Sequence, residues 1–293
     1  MLHVSTLMSY NNLLFRRSIQ MKIQVNDVLI NYKIYGEGQP LLFIHGNALN
    51  IDSMDKIYEP LLQDKHHFQR IYLDLPGMGA SSSTPNITNS DDMLDYIINF
   101  IETLNLSETL GVVGHSYGGY LSIGLAHKLQ EKIGGLYLTC PVIYAEADRR
   151  RIPKGKQIYD SQFNLPQDSH YLDDYLDTTT RINSKTWHYY INTIVPGYQN
   201  ANEAFMDNIR RDNDKYYKFS FEENIEINNN TVITLLLGRY DNVVGYKDQV
   251  DYFASFPNSS YTVFSDAGHN FFIDLYDFNK LFIDNFLQRL AEQ

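Results

Sequence analysis

The sequence predicts an α/β protein, with a mostly parallel central sheet, helices on both of its faces and one inserted helical cap. Three observations predict it. Short continuous apolar runs, the mark of strands buried on both faces, alternate with segments of helical periodicity. That alternation lapses between residues 143 and 228 and then resumes, so the interval is an insertion into one core rather than a second domain. One apolar run, Leu110-Gly111-Val112-Val113, ends in Gly114-His115-Ser116-Tyr117-Gly118-Gly119, a serine between glycines directly ahead of a helical segment. This is the G-x-S-x-G form of a sharp strand-to-helix turn.

Taken in order, residues 1–20 lack a basic start ahead of an apolar run, and Arg16 and Arg17 stand at the end of the stretch. That order is wrong for a secretory signal, so a loosely held extension is expected there. Residues 21–142 and 229–293 should form the core and residues 143–228 the cap. Residues 22–25 and 28–35 alternate about Asn26-Asp27, a hairpin signal. Buried-strand runs at 41–44 and 71–73 end in His45-Gly46-Asn47 and in Asp74-Leu75-Pro76-Gly77-Met78-Gly79-Ala80-Ser81. The next helix has Ser90 placed to cap it and Asp91 and Asp92 in its first turn. Its apolar stripe is Leu94, Ile97, Ile98, Ile101 and Leu104.

Beyond the elbow, helical character runs over 120–130, and a strand at 136–140 stops at Pro141. Inside the insertion, helices are expected at 173–178 and 201–211. Strands return at 232–237 and 261–264. The closing helix should bury Leu275, Phe278, Leu281, Phe282, Phe286 and Leu290 on one face.

Composition narrows the function. A net charge of -11 argues against nucleic acid or an anionic membrane as partner, since either calls for a basic face. No run approaches the roughly 20 apolar residues that cross a bilayer. The single cysteine, Cys140, excludes an intrachain disulfide framework and suits a reducing, cytoplasmic setting. The sequons at Asn86, Asn105, Asn229 and Asn258 then carry no sugar. No cofactor is expected: Gly77-x-Gly79 lacks the third glycine of a dinucleotide fingerprint, and no P-loop occurs. No metal is expected either, because no histidine and carboxylate grouping has ligand spacing.

The chemistry starts at Ser116. A serine hydroxyl is a weak nucleophile until a base takes its proton, and an imidazole does so near neutral pH when a carboxylate fixes its tautomer. Asp241, in Gly238-Arg239-Tyr240-Asp241, and His269, in Asp266-Ala267-Gly268-His269, each lie just past a predicted strand, where open parallel sheets gather function. Their chain order, Ser then Asp then His, is the one this elbow takes.

With these four motifs in order, the chain resembles the α/β-hydrolase superfamily from Met21 onward, least closely in the cap. The resemblance implies the α/β-hydrolase fold, Ser116 as nucleophile, His269 as general base and Asp241 as its orienting acid. It also implies an oxyanion hole made by the backbone N–H groups of Asn47 and Tyr117. His45 and His115 sit inside motifs that the family uses for structure. The pair His66-His67 is expected to face solvent, and Asp266 is the second choice for the acid. A serine at 116 argues against the carboxylate chemistry of haloalkane dehalogenases and epoxide hydrolases.

The expected activity is hydrolysis of a small carboxylic ester, thioester or lactone through an acyl-enzyme. Tyr189, Tyr190 and Phe205 are candidates to line the substrate pocket. The same three residues would also serve an aminopeptidase resembling proline iminopeptidases, a carbon–carbon bond hydrolase or a perhydrolase. In the peptidase, Glu203, Glu222 or Glu223 would hold the substrate's amino terminus. A non-catalytic binding protein is the remaining alternative. The sequence is silent on oligomeric state.

Overall fold

In the computed structural model, β1 (Ile19–Val25) and β2 (Val28–Tyr35) pair antiparallel about the expected turn. Asn26 turns there with a φ of 50°, a conformation asparagine tolerates better than most residues. The structure describes residues 19–106, 108–210 and 213–293, so residues 1–18 of the expected extension lie outside the described residues. Ile19 and Gln20 are part of β1. The chain continues through β3 (Gln39–Ile44), α1 (Asp52–Leu62), β4 (Phe68–Leu73), α2 (Ser90–Thr103), β5 (Leu110–His115), α3 (Tyr117–Leu129) and β6 (Ile133–Thr139).

The insertion follows. It holds a two-residue parallel ribbon, β7 (Ile158–Tyr159) with β8 (Arg181–Ile182), and the helices α4 (Leu172–Thr178), α5 (Ser184–Tyr189), α6 (Val195–Asn200) and α7 (Glu203–Arg210). The core resumes with β9 (Val232–Gly238), α8 (Lys247–Phe253), β10 (Ser259–Phe264), α9 (Phe271–Asp274) and α10 (Tyr276–Ala291).

The main strands form one eight-stranded sheet in the order β1-β2-β4-β3-β5-β6-β9-β10. The joints β1–β2 and β2–β4 are antiparallel and the other five are parallel. Every residue of β5, β6 and β9 is buried, which is why these strands carry continuous apolar runs with no polar alternation. Register sets where the loops emerge. Ile44 stands opposite Gly114, His115 opposite Thr139, and Phe264 opposite Gly238. The turns after β3, β5, β6, β9 and β10 therefore leave from one edge.

Two expectations need correction. Ser90 is the first helical residue of α2, not its cap. The cap is Asn89, in extended geometry, whose side chain accepts the N–H of Asp92. Ser90 instead bonds Tyr117 and the carbonyl of Tyr217. In α10 the buried face is Asn279, Ile283, Phe286, Leu287 and Leu290. Phe278 and Leu281 are exposed, at 46% and 66%. Leu275, Phe286 and Leu290 are buried as expected and Phe282 packs edge-on against Phe264 of β10, so only Phe278 and Leu281 fall off the face, and a polar residue, Asn279, joins it. Its amide donates to the carbonyl of Phe272.

The returning limb of the insertion lies along α3. Tyr217, Phe219 and Phe221, every second residue, meet Tyr117, Tyr120 and His127 with ring separations of 4.6, 4.2 and 4.6 Å. Such pairs contribute about 0.5–1.5 kcal/mol each beyond their burial. The helix that follows Ser116 is thus packed along its length by residues 217–221.

Candidate active site

The turn from β5 to α3 is tight enough to leave no room for a side chain at its base. A Cβ on Gly118 would stand 2.1 Å from the carbonyl oxygen of Ile44, at the end of β3. Ser116 takes a φ of 53° and a ψ of -116°, a costly conformation for a residue with a side chain. Three backbone bonds hold it there. Its N–H donates to Thr139, and its carbonyl accepts from Tyr120 and Val142, each at 3.1 Å.

β9 and β10 bring the other two groups. A Cβ on Gly238 would stand 2.2 Å from the carbonyl oxygen of Gly268, so only glycine lets the end of β9 touch the His269 loop. His269 Nδ1 is 3.0 Å from Asp241 Oδ2, and His269 Nε2 is 3.0 Å from Ser116 Oγ. Asp241 is fully buried, and its other oxygen accepts the N–H groups of Val243 and Val244 at 2.9 Å each. With Nδ1 facing a carboxylate, the ring's proton sits on Nδ1 and the Nε2 lone pair faces the serine hydroxyl. This arrangement can draw a proton from Ser116. The N–H groups of Asn47 and Tyr117 have no acceptor among the described residues, and the buried Oδ1 of Asn47 has no donor there. Gly46, next to Asn47, lies against the serine: a Cβ on it would stand 3.4 Å from Ser116 Cβ.

A model of the α/β-hydrolase fold matches residues 39–275. The chain belongs to the α/β-hydrolase family. Among solved structures it resembles an α/β-superfamily hydrolase from Oenococcus oeni at 34% identity, covering 93% of this chain and 99% of that one with a TM-score of 0.86. It is similar to the (E)-2-((N-methylformamido)methylene)succinate hydrolase of Acinetobacter baylyi, 32% identical over 34% of this chain and 37% of that enzyme. It is also similar to the 2-hydroxy-6-oxo-6-(2'-aminophenyl)hexa-2,4-dienoic acid hydrolase of Metapseudomonas resinovorans, 23% identical over 41% of each. The chain thus spans less than half the length of these curated relatives. No helix among the described residues of this α/β-hydrolase is long and apolar enough to cross a membrane.

The other candidates have different work in this α/β-hydrolase. His45 Nδ1 donates to the carbonyl of Gly46 and Nε2 accepts the N–H of Leu75, which ties the ends of β3 and β4 together. Burial holds its pKa below the usual imidazole range. His115 bonds Thr139, and burial pushes its pKa well down. His66 and His67 are exposed, and Asp266 pairs with Arg181. Asp74, in the glycine-rich turn, accepts from Ile51, Ala80 and Asn31 and so builds that turn. Of the three glutamates, Glu222 is buried against Tyr120 and Ala145, Glu223 pairs with Arg149 and Lys218, and Glu203 is exposed on α7. Tyr189 stacks on Tyr276, Tyr190 donates to Asp174, and Phe205 packs over Gly77.

Two residues near the site escaped the sequence reading. Asp274 is buried, and its carboxylate accepts the N–H groups of Gly268 and Arg181 at 2.7 Å and that of Thr180 at 3.0 Å. It pins the His269 loop to the insertion. Burial pushes its pKa up to about 7, against the pull of those donors. A lone acid within Phe271-Phe272-Ile273-Asp274-Leu275 was the available signal. The second is Cys140, buried with a φ of 43°, its thiol 3.5 Å from the carbonyl of Gly268. Sulfur, the Asp241 carboxylate and the His269 ring nitrogen lie within 4.8 Å of one another, a ligand-type grouping that sequence spacing did not reveal. Within it His269 Nδ1 and Asp241 Oδ2 are hydrogen-bonded to each other.

Proposed function

We propose that this α/β-hydrolase is a serine hydrolase that cleaves a small carboxylic ester, thioester or lactone. Ser116 Oγ attacks the carbonyl carbon while its proton passes to His269 Nε2, and Asp241 stabilises the imidazolium that forms. The N–H groups of Asn47 and Tyr117 receive the oxyanion. When the tetrahedral adduct collapses, His269 returns the proton to the departing alcohol, thiol or ring oxygen. Water then repeats the sequence on the acyl-enzyme. Residues 143–228 act as the cap that shapes the substrate pocket, and the reducing cytoplasm, where a buried free Cys140 persists, is the setting.

The observation that carries this reading is the unbroken relay from Asp241 to His269 to Ser116, with both contacts at 3.0 Å. The test is labelling by a fluorophosphonate probe, with turnover of a p-nitrophenyl ester panel alongside. Wild type should label and turn over, whereas Ser116→Ala should not label and should lose roughly a million-fold in kcat. Equal labelling of both proteins would overturn the reading.

Carbon–carbon bond hydrolysis is the second reading, favoured by the similarity to the dienoic acid hydrolase named above. Faster turnover of a vinylogous diketone than of any ester would select it. The aminopeptidase reading loses ground because Glu222 and Glu223 are already committed to Tyr120, Arg149 and Lys218.

A further inference from the structure

A groove of about 430 Å³ lies between the start of the insertion and the loop after β9. Arg151, Lys154, Arg239 and Lys247 line it together with Tyr240 and Tyr246, and no acidic residue does. This is unexpected in a chain whose 35 acidic residues outnumber its 24 basic ones. The other grooves described in this fold carry either no charge or both signs.

The cations are also underused. Arg151 pairs with Asp248 and Asp251, but among the described residues Lys154, Lys156, Arg239 and Lys247 pair with no carboxylate. Two of them lie over the tyrosines, Lys156 at 5.2 Å from the Tyr240 ring and Arg239 at 5.7 Å from Tyr246. The rings hold these two charged heads beside the groove without neutralising them. Four lining cations, of which only Arg151 is paired with acids, leave a local excess that repels itself unless an anion fills the space.

We infer that this groove is a second, non-catalytic binding site for a small phosphate-bearing anion of two or more charges. Arg239 offers a planar fork and the lysines point charges, the combination that suits a diphosphate. Tyr240 and Tyr246 flank Asp241 on one loop, and the N–H of Tyr240 donates to the carbonyl of Ala267, two residues before His269. The site is therefore built on the outer side of the loop that holds the acid.

Isothermal titration of the full chain with sodium pyrophosphate and, separately, with ADP tests this at low and at moderate salt. One site per chain is expected, weakening as salt rises. Lys154→Ala/Lys247→Ala should lower affinity about tenfold, while Lys22→Ala, an exposed lysine elsewhere, should change it less than about twofold. Tighter binding of ADP would assign an organic diphosphate, and equal binding would assign recognition of the phosphate charge alone. Should the double variant fail to fold, Lys154→Glu reads the same loss. No saturable binding of either compound, or binding that the lysine variants leave intact, would overturn the site.

Discussion

Asp274→Asn separates burial from hydrogen bonding as the force acting on the carboxyl behind the His269 loop. The folded-state pKa of about 7 lies above that of an unfolded aspartate, about 3.9, so the folded protein holds a proton across the window between them. The Asp274 contribution to stability is therefore full below pH about 4 and is lost as the pH rises through about 7. Going from pH 5 to pH 8 crosses about two units of that window, or about 3 kcal/mol at roughly 1.4 kcal/mol per unit. Asparagine has nothing to titrate. At pH 5 the unfolded aspartate is already ionised while the folded one is protonated, so with the two neutral side chains equivalent below pH about 4 the variant should lead by about 1.5 kcal/mol. At pH 8 that lead should have grown to about 4 kcal/mol. Urea unfolding of both proteins at pH 5, 6.5 and 8 measures the difference at each point. The gain should cost activity, because the amide can no longer accept from Gly268, Thr180 and Arg181 together. A displaced His269 loop should lower kcat by about tenfold or more. A stability difference that stays flat, or turns against the variant as the pH rises, would refute burial as the dominant force.

Three further outcomes follow from named contacts. Asp241→Asn should keep the fold yet lower kcat about 10,000-fold, since an amide favours the wrong imidazole tautomer; ester turnover with circular dichroism as a fold control measures it. Gly238→Ala drives a Cβ to 2.2 Å from the carbonyl of Gly268, so activity should collapse and urea stability fall by about 2 kcal/mol or more, and near-wild-type turnover would contradict the close-contact argument. Tyr120→Phe removes a hydroxyl that accepts the N–H of Phe219 and donates to Glu222. Leaving both buried partners short should cost about 2–4 kcal/mol in thermal or urea unfolding, and a loss below about 0.5 kcal/mol would show that water replaces the hydroxyl.

The sheet was legible because burial on both faces writes itself as unbroken apolar runs. Residues 41–44, 71–73 and 232–237 each lie within an observed strand. The elbow was legible because two glycines and a serine are jointly demanded by one tight turn. The insertion was less so. Its helices at Leu172–Thr178 and Glu203–Arg210 were expected, but the run from Ser184 to Asn200 was not. Asn183 caps that run through a reciprocal pair of bonds with Thr186, a local signal that carries no apolar periodicity. Ser90 was read as a cap because cap preference ranks serine and asparagine together, and only geometry distinguishes neighbours. Side-chain contacts such as Asp274 with Gly268 join residues whose meeting depends on the whole fold, and no spacing along the chain announces them.

Those contacts bear on how the candidate site holds its shape. The insertion is joined to the core at three places around the relay. Asp274 gathers N–H groups from Gly268 on one side and from Thr180 and Arg181 on the other. Asn270, next to His269, bonds Thr178 through both its backbone N–H and its amide. Glu222 accepts from Tyr120 and from the N–H of Ala145, so residues near 145 and 222 meet at the helix that follows Ser116. A displacement of the β8 end of the insertion would have to carry residues 268–270 with it or break several buried hydrogen bonds, at about 1–3 kcal/mol for each group left unpaired. The 203–210 helix stands outside these joints but buries Phe205, Met206 and Ile209 in the core, and Asn202 ahead of it bonds Gly77 and Ser83.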